Sequence, residues 1–227
     1  MKLVIFDLDQ TLVDLLFVHD EAVRRLFKKF FGVDARLTEI DFSGKSLIEN
    51  FNELARLKDI PGDAIEGKRN QLLESYETAF GESLPREAER YILPGVKELL
   101  SGLSKTENFV VLYTGDSPGI VHLVLRATGL GRYFKFCFYG TDVEKRTDMV
   151  ALAIDKAEQS SGQEFRNKNI VIIGDSVRDV ECGRAFGALV IAVATGSHSN
   201  EELLREGPDY VFDNLTDYRK VLEIIGR

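Results

Sequence analysis

The chain has 227 residues, 44% hydrophobic and 29% charged, with a formal net charge of −8. This balance suits one full α/β core with a small insertion and needs no disulfide staples. The acidic charge argues against nucleic acid as a partner, because binding a phosphate backbone takes a basic face.

In chain order, Leu3–Phe6 is apolar on successive residues, which predicts a strand buried on both faces. It is too short for a signal peptide or a membrane span. It runs into Asp7-Leu8-Asp9. Residues 15–88 then hold only helical patterns, at Asp20–Phe31, Ser46–Leu57 and Ala64–Phe80. They are read as an all-α cap inserted after the first strand, leaving 1–14 and 89–227 as the core. Pro94-Gly95 opens a helix with Val96, Leu99, Leu100 and Leu103 at helical spacing. A strand at Phe109–Tyr113 ends in Thr114-Gly115-Asp116, and a helix runs from Pro118 to Thr128, stopped by Gly129. A helix over Asp148–Ser160 precedes a strand at Asn169–Ile173 that ends in Gly174-Asp175-Ser176. A helix over Val177–Phe186 and strands at Leu189–Val193 and Tyr210–Phe212 complete the pattern. Alternating strand and helix predicts an α/β fold with a doubly wound parallel sheet. Cys137 and Cys182 show no metal or redox spacing. They are expected to be free thiols in a reducing, cytoplasmic setting.

Open parallel sheets bind ligands outside the carboxyl ends of their strands, and the acidic clusters fall at those ends. Asp7 and Asp9 are two apart on an extended segment, so both carboxylates face one spot. Such a pair can divide its labour, one ionised and one carrying a proton. Alone, a DxD pair often caps a helix or a turn. Asp175 and Asp179 lie one helical turn apart, and with Asp7 they offer oxygen ligands to a hard cation such as Mg²⁺. A simple helix cap explains Asp175 and Asp179 equally well. Thr114-Gly115, between a strand and a helix, provides a hydroxyl and backbone N–H groups for an anion. In Asp142-Val143-Glu144-Lys145-Arg146 a cation stands where it can offset phosphate charge, although a charge run is usually a solvated face.

These segments together resemble the haloacid dehalogenase (HAD) superfamily. Phe6-Asp7-Leu8-Asp9-Gln10-Thr11-Leu12-Val13-Asp14 is similar to its first signature, and Thr114-Gly115 to its second. Lys145 or Arg146 falls at the third, and Gly174-Asp175-Ser176-Val177-Arg178-Asp179 at the fourth, GDSxxD. The order matches and the resemblance spans the chain. The insertion is similar to the α-helical cap of phosphoglycolate phosphatases and their relatives. The resemblance implies Mg²⁺-dependent hydrolysis of a small phosphorylated metabolite through an aspartyl-phosphate. Asp7 is then the nucleophile, and Asp9 protonates the leaving group and later activates water. Mg²⁺ is held by Asp7, Asp9 through its backbone carbonyl, and Asp175, with Asp179 in support. Thr114 and Gly115 hold the phosphoryl oxygens. Lys145 is taken as the phosphate-side cation with Arg146 as its competitor, because the Lys-Pro usual in this subgroup is replaced by Glu-Lys-Arg-Thr-Asp. Similar cap loops contact substrate, which points to Lys45; on its own Lys45 reads as an exposed loop lysine, and His19 as a surface histidine. Gln10 replaces a common glycine and is expected to alter the turn. A monomer that binds neither membrane nor nucleic acid is expected.

Four rival readings are weighed against this one. Ser117, Asp175 and His198 have the order of an α/β-hydrolase triad, but Pro118 lacks the N–H that its oxyanion hole needs. A haloacid dehalogenase needs neither the second carboxylate nor the metal. A non-catalytic phospho-acceptor module shares the sheet and the acids but not the helical insertion. Gly44-Lys45-Ser46 ends like a P-loop, yet position 39 is Glu where that motif needs Gly.

Overall fold

Six strands form one sheet in the order β3-β2-β1-β4-β5-β6, and every pairing is parallel, in a computed structural model that describes residues 1–227. The strands are β1 (Leu3–Phe6), β2 (Phe109–Thr114), β3 (Cys137–Tyr139), β4 (Ile170–Gly174), β5 (Leu189–Val193) and β6 (Tyr210–Phe212). The sheet has helices on both faces, so its central strands read as unbroken apolar runs rather than alternating ones. Alternate residues feed different layers. Val4, Phe6, Val110, Leu112, Val171 and Ile173 join one cluster with α5 (Val96–Leu103), α6 (Pro118–Thr128) and α10 (Tyr218–Gly226). Leu3, Ile5, Val111, Tyr113 and Ile172 join a second with α7 (Arg146–Ser161) and Cys182 of α8 (Val177–Ala185). A small third cluster sets Val180 and Val190 against Leu203 of α9 (Asn200–Arg205).

The expected doubly wound sheet is therefore present, with three differences. β3 has no counterpart in the sequence pattern, because it is only three residues long, at the sheet edge and half-buried. The helices α9 and α10 are additions as well. The expected helix at Ala64–Phe80 is two pieces, α3 (Asp63–Glu66) and α4 (Arg69–Ser83), interrupted at Gly67-Lys68.

Between β1 and β2, residues 15–88 form helices only: α1 (Leu16–Phe31), α2 (Leu47–Leu57), α3 and α4, with short 3-10 turns. The way in and the way out run side by side. Val13 bridges Ile92, Asp14 N–H donates to Tyr91 O at 2.8 Å, and Leu93 N–H donates to Leu12 O at 2.9 Å. Phe27, Phe51, Tyr76 and Phe80 from these helices are fully buried in the same apolar cluster as Val4 and Phe6. No helix is long and apolar enough to cross a membrane.

Candidate active site

Because β1, β2 and β4 are adjacent and parallel, their carboxyl ends come together. Asp7 follows β1, Thr114 ends β2 and Asp175 follows β4. Asp7 N–H donates to Ile173 O at 2.9 Å, continuing the ladder and fixing where its side chain leaves the sheet. Asp7, Thr114 and Asp175 are all buried. They line one cavity of about 60 Å³ together with Asp9, Gly115, Asp116, His19, Lys45, Asn50 and Arg146. A volume of that size admits a few water-sized groups.

Arg146, not Lys145, reaches Asp7. Its Nη2 donates to Asp7 Oδ1 at 2.6 Å and to Asp179 Oδ1 at 2.7 Å, and its guanidinium lies over the Tyr113 ring at 4.3 Å. Lys145 is exposed, in extended backbone at the N-cap of α7, where its N–H donates to Asp148 Oδ2. Adjacent residues across a helix N-cap point in different directions, so only the first helical residue turns inward. The expectation placed on Lys145 is corrected to Arg146.

Asp179 needs a second correction. Its Oδ1 accepts from Tyr113 and Arg146, and its Oδ2 accepts from Ser176 N–H at 2.9 Å and Ser176 Oγ at 2.6 Å. Both oxygens are committed, so Asp179 orients Arg146 and caps α8 rather than offering itself as a direct ligand. Asp175 differs. Thr11 Oγ1 donates to its Oδ1 at 3.0 Å, and Ser43 Oγ reaches its Oδ2 only at 3.4 Å.

The electrostatics follow from this crowding. Burial pushes the Asp7 carboxyl up to about 7, with Arg146 pulling against it and Asp179 and Asp9 adding to it. Burial, then the charge of Asp7, pushes Asp175 well above the ordinary carboxylate range. Two buried carboxylates, Asp7 and Asp175, at neighbouring strand ends make a hard oxygen donor set. That is the chemistry an octahedral Mg²⁺ suits.

His19 is not on the surface. It is buried, with Nδ1 at 2.7 Å from the Tyr76 hydroxyl and Nε2 at 3.1 Å from Asp9 Oδ1. Burial alone would lower its pKa, but the charges of Asp9 and Asp116 outweigh that and raise it to about 9. Asp9 is held below the usual carboxylate range: burial opposes this, and the His19 charge and hydrogen bond overcome it. A signal for His19 existed in the sequence. It sits three, four and seven residues before Ala22, Val23 and Leu26, on the buried stripe of α1.

The loop before α2 closes over these groups. Leu47 N–H donates to Gly115 O at 3.1 Å, and Arg178 holds Ser43 O at 2.6 Å and Asp41 Oδ2 at 2.9 Å. Lys45 lines the cavity but its Nζ is paired with Glu53, and with Asp41 at 3.9 Å. A Cβ on Gly115 would stand 2.0 Å from the Lys45 carbonyl oxygen. Gly115→Ala is therefore expected to prise this loop away and lower kcat/KM by about tenfold or more, with little change in overall fold by circular dichroism. Gln10 adopts φ 61, a left-handed conformation that glycine takes easily, and its amide donates to Asp14 Oδ1 at 2.8 Å. The turn is kept with a side-chain strut.

Ser117 does not form a hydrolase triad. It caps α6 and donates to Glu77, while His198 Nδ1 has no hydrogen-bond partner.

A doubly wound sheet whose carboxyl edge gathers buried carboxylates, a strand-end threonine and one arginine defines an α/β enzyme built on acid chemistry. The profile of the haloacid dehalogenase-like hydrolases matches residues 4–193, and the chain belongs to that family. It is a phosphatase-like member. It is 29% identical over 222 residues to the phosphoglycolate phosphatase of Pseudomonas fluorescens Pf-5, covering 94% of this chain and 77% of the relative. The phosphoglycolate phosphatase of Synechococcus elongatus is 25% identical over 218 residues, covering 96% and 95%. In three dimensions the chain is similar to a β-phosphoglucomutase from Clostridium difficile, with TM-score 0.79, 18% identity and coverage of 100% and 97%. A hydrolase from Pseudomonas syringae gives TM-score 0.77 at 23% identity, covering 99% of both chains. At these identities the two structures speak for the fold.

Proposed function

We propose that the protein hydrolyses a small phosphate monoester, a phosphoglycolate-like compound or a sugar phosphate, through an aspartyl-phosphate on Asp7. The observation that carries this reading is the meeting of Asp7, Thr114 and Asp175 at three adjacent strand ends with Arg146 on the Asp7 carboxylate. Residues 15–88 act as the cap that encloses the reaction.

Asp7 attacks phosphorus, and its lone pair forms the new O–P bond as the ester oxygen leaves. Thr114 and the backbone at Gly115 bind the phosphoryl oxygens. Arg146, fixed from behind by Asp179 and Tyr113, offsets their charge as it builds. The Asp9–His19 pair holds one proton between two close atoms. Asp9 delivers that proton to the leaving oxygen and later takes one from water, which attacks phosphorus and frees Asp7. Asp7, Asp175 and the Asp9 carbonyl would hold Mg²⁺, which supplies Lewis-acid charge neutralisation at the phosphoryl group.

The test is hydrolysis of p-nitrophenyl phosphate with and without EDTA. Turnover that EDTA removes and Mg²⁺ restores is the expected result. A stable phosphoprotein with no turnover would instead indicate a phospho-acceptor module.

A further inference from the structure

We propose that the leaving group is neutral and hydroxyl-bearing, a polyol or small sugar rather than a carboxylate, and that Asn50 is the residue that selects it. This rests on the phosphatase reading and narrows its substrate class.

Three cationic side chains border the cavity: Arg146, His19 and Lys45. Each is already matched. Arg146 serves Asp7 and Asp179. His19 serves Asp9, with Asp116 Oδ2 at 3.9 Å. Lys45 serves Glu53 and Asp41. With the phosphoryl end claiming Arg146, a second anion on the substrate would find no uncommitted cation. It would also lie beside the ionised Asp9 carboxylate, and like charges close together in a largely desolvated site repel.

The unmet hydrogen-bonding capacity is of the opposite kind. Asn50 is 4% exposed and lines the cavity, and its Oδ1 has no hydrogen-bond partner. Its amide nitrogen is directed at Phe42 O, 3.5 Å away, so the oxygen is the end left over. Asp116, in the same cavity, is a different case: its Oδ2 lies 3.9 Å from His19 Nε2, and burial, then the charge of Asp9, pushes its carboxyl well above the ordinary carboxylate range. The orphaned Asn50 oxygen calls for a donor, and buried acceptors seldom go unsatisfied when the site is filled. A substrate hydroxyl supplies a donor without adding charge, whereas a carboxylate brings only acceptors. A site built to hydrogen-bond a hydroxyl rejects analogues that lack it.

Asn50 is also out of place by ordinary packing. It lies three residues after Leu47 and four before Leu54, on the buried stripe of α2. A purely structural helix would carry an apolar residue there.

The test compares kcat/KM for three compounds: glycerol phosphate, 2-phosphoglycolate and p-nitrophenyl phosphate. Glycerol phosphate is expected to exceed 2-phosphoglycolate by about tenfold or more. Asn50→Leu is expected to lower the ratio of glycerol phosphate to p-nitrophenyl phosphate by about tenfold. Glu53→Gln, at the nearer carboxylate partner of Lys45, leaves that ammonium with only Asp41 at 3.9 Å and is expected to raise the rate on 2-phosphoglycolate. This second variant reads the same claim if Asn50→Leu fails to fold. A wild-type preference for 2-phosphoglycolate, or an Asn50→Leu ratio equal to wild type, overturns the proposal while the phosphatase reading stands. Failure to hydrolyse all three compounds overturns that reading itself.

Discussion

Replacing Asp7 with Asn is expected to lower kcat by about 10⁴-fold or more while the protein stays folded. An amide oxygen cannot form the acyl phosphate, and no neighbouring carboxylate is placed to substitute. Asp175 is bonded to Thr11, and Asp179 is fully occupied by Tyr113, Ser176 and Arg146. Stability is expected to hold or rise. The substitution removes a buried charge that Asp175 and Asp179 both oppose, and Arg146 keeps Asp179 as its partner. Active sites commonly give up stability for such arrangements. The measurement is kcat with p-nitrophenyl phosphate beside a thermal melt. Loss of activity together with collapse of the melt would make Asp7 a structural residue.

The second large effect separates two adjacent cations. Arg146→Ala is expected to cost about 10²- to 10³-fold in kcat, because a preorganised positive group is lost from the phosphoryl site. It is also expected to destabilise the fold by about 3 kcal/mol or more, because Asp179 and Asp7 are left buried without their partner. For a chain of this size that lowers the melting temperature by roughly 10 °C. Lys145→Ala, on an exposed side chain, is expected to change stability by about 0.5 kcal/mol at most and the rate by about twofold at most. Arg146→Lys keeps the charge but not the planar fork that spans Asp7 and Asp179, so partial recovery is expected. Equal losses in the two alanine variants would mean that the α7 N-terminus is arranged differently in solution.

This contrast marks where sequence reading stops. The strand-end acids were legible because an apolar run ending in Asp or Gly-Asp has one sensible place in a parallel sheet, its carboxyl edge. The sheet class followed from the alternation. Spacing could not decide between Lys145 and Arg146, because one residue at a helix cap separates a solvated side chain from a buried one. Asp179 looked like a ligand from its separation from Asp175, yet Arg146 and Tyr113 come from distant segments and claim its Oδ1, while Ser176 takes Oδ2. His19 and Asn50 were hidden differently. Each is a polar residue on the buried stripe of an amphipathic helix, a position usually filled by an apolar side chain. Their partners, Tyr76 with Asp9 for the one and the cavity for the other, are brought near only by folding of the helical insertion. The edge strand β3 was too short to show a period.

The central claim is that Asp7 carries the phosphoryl group covalently. The direct measurement is rapid acid quench of the Asp9→Asn enzyme turning over acetyl phosphate, followed by peptide mass spectrometry. Acetate leaves without needing a proton, so attack by Asp7 proceeds, whereas water activation is crippled and the intermediate accumulates. One phosphoryl group on the peptide containing Asp7, absent from the Asp7→Asn control, is the predicted result. Continued turnover with an unmodified Asp7 peptide, or a phosphoryl group on another residue, would contradict it.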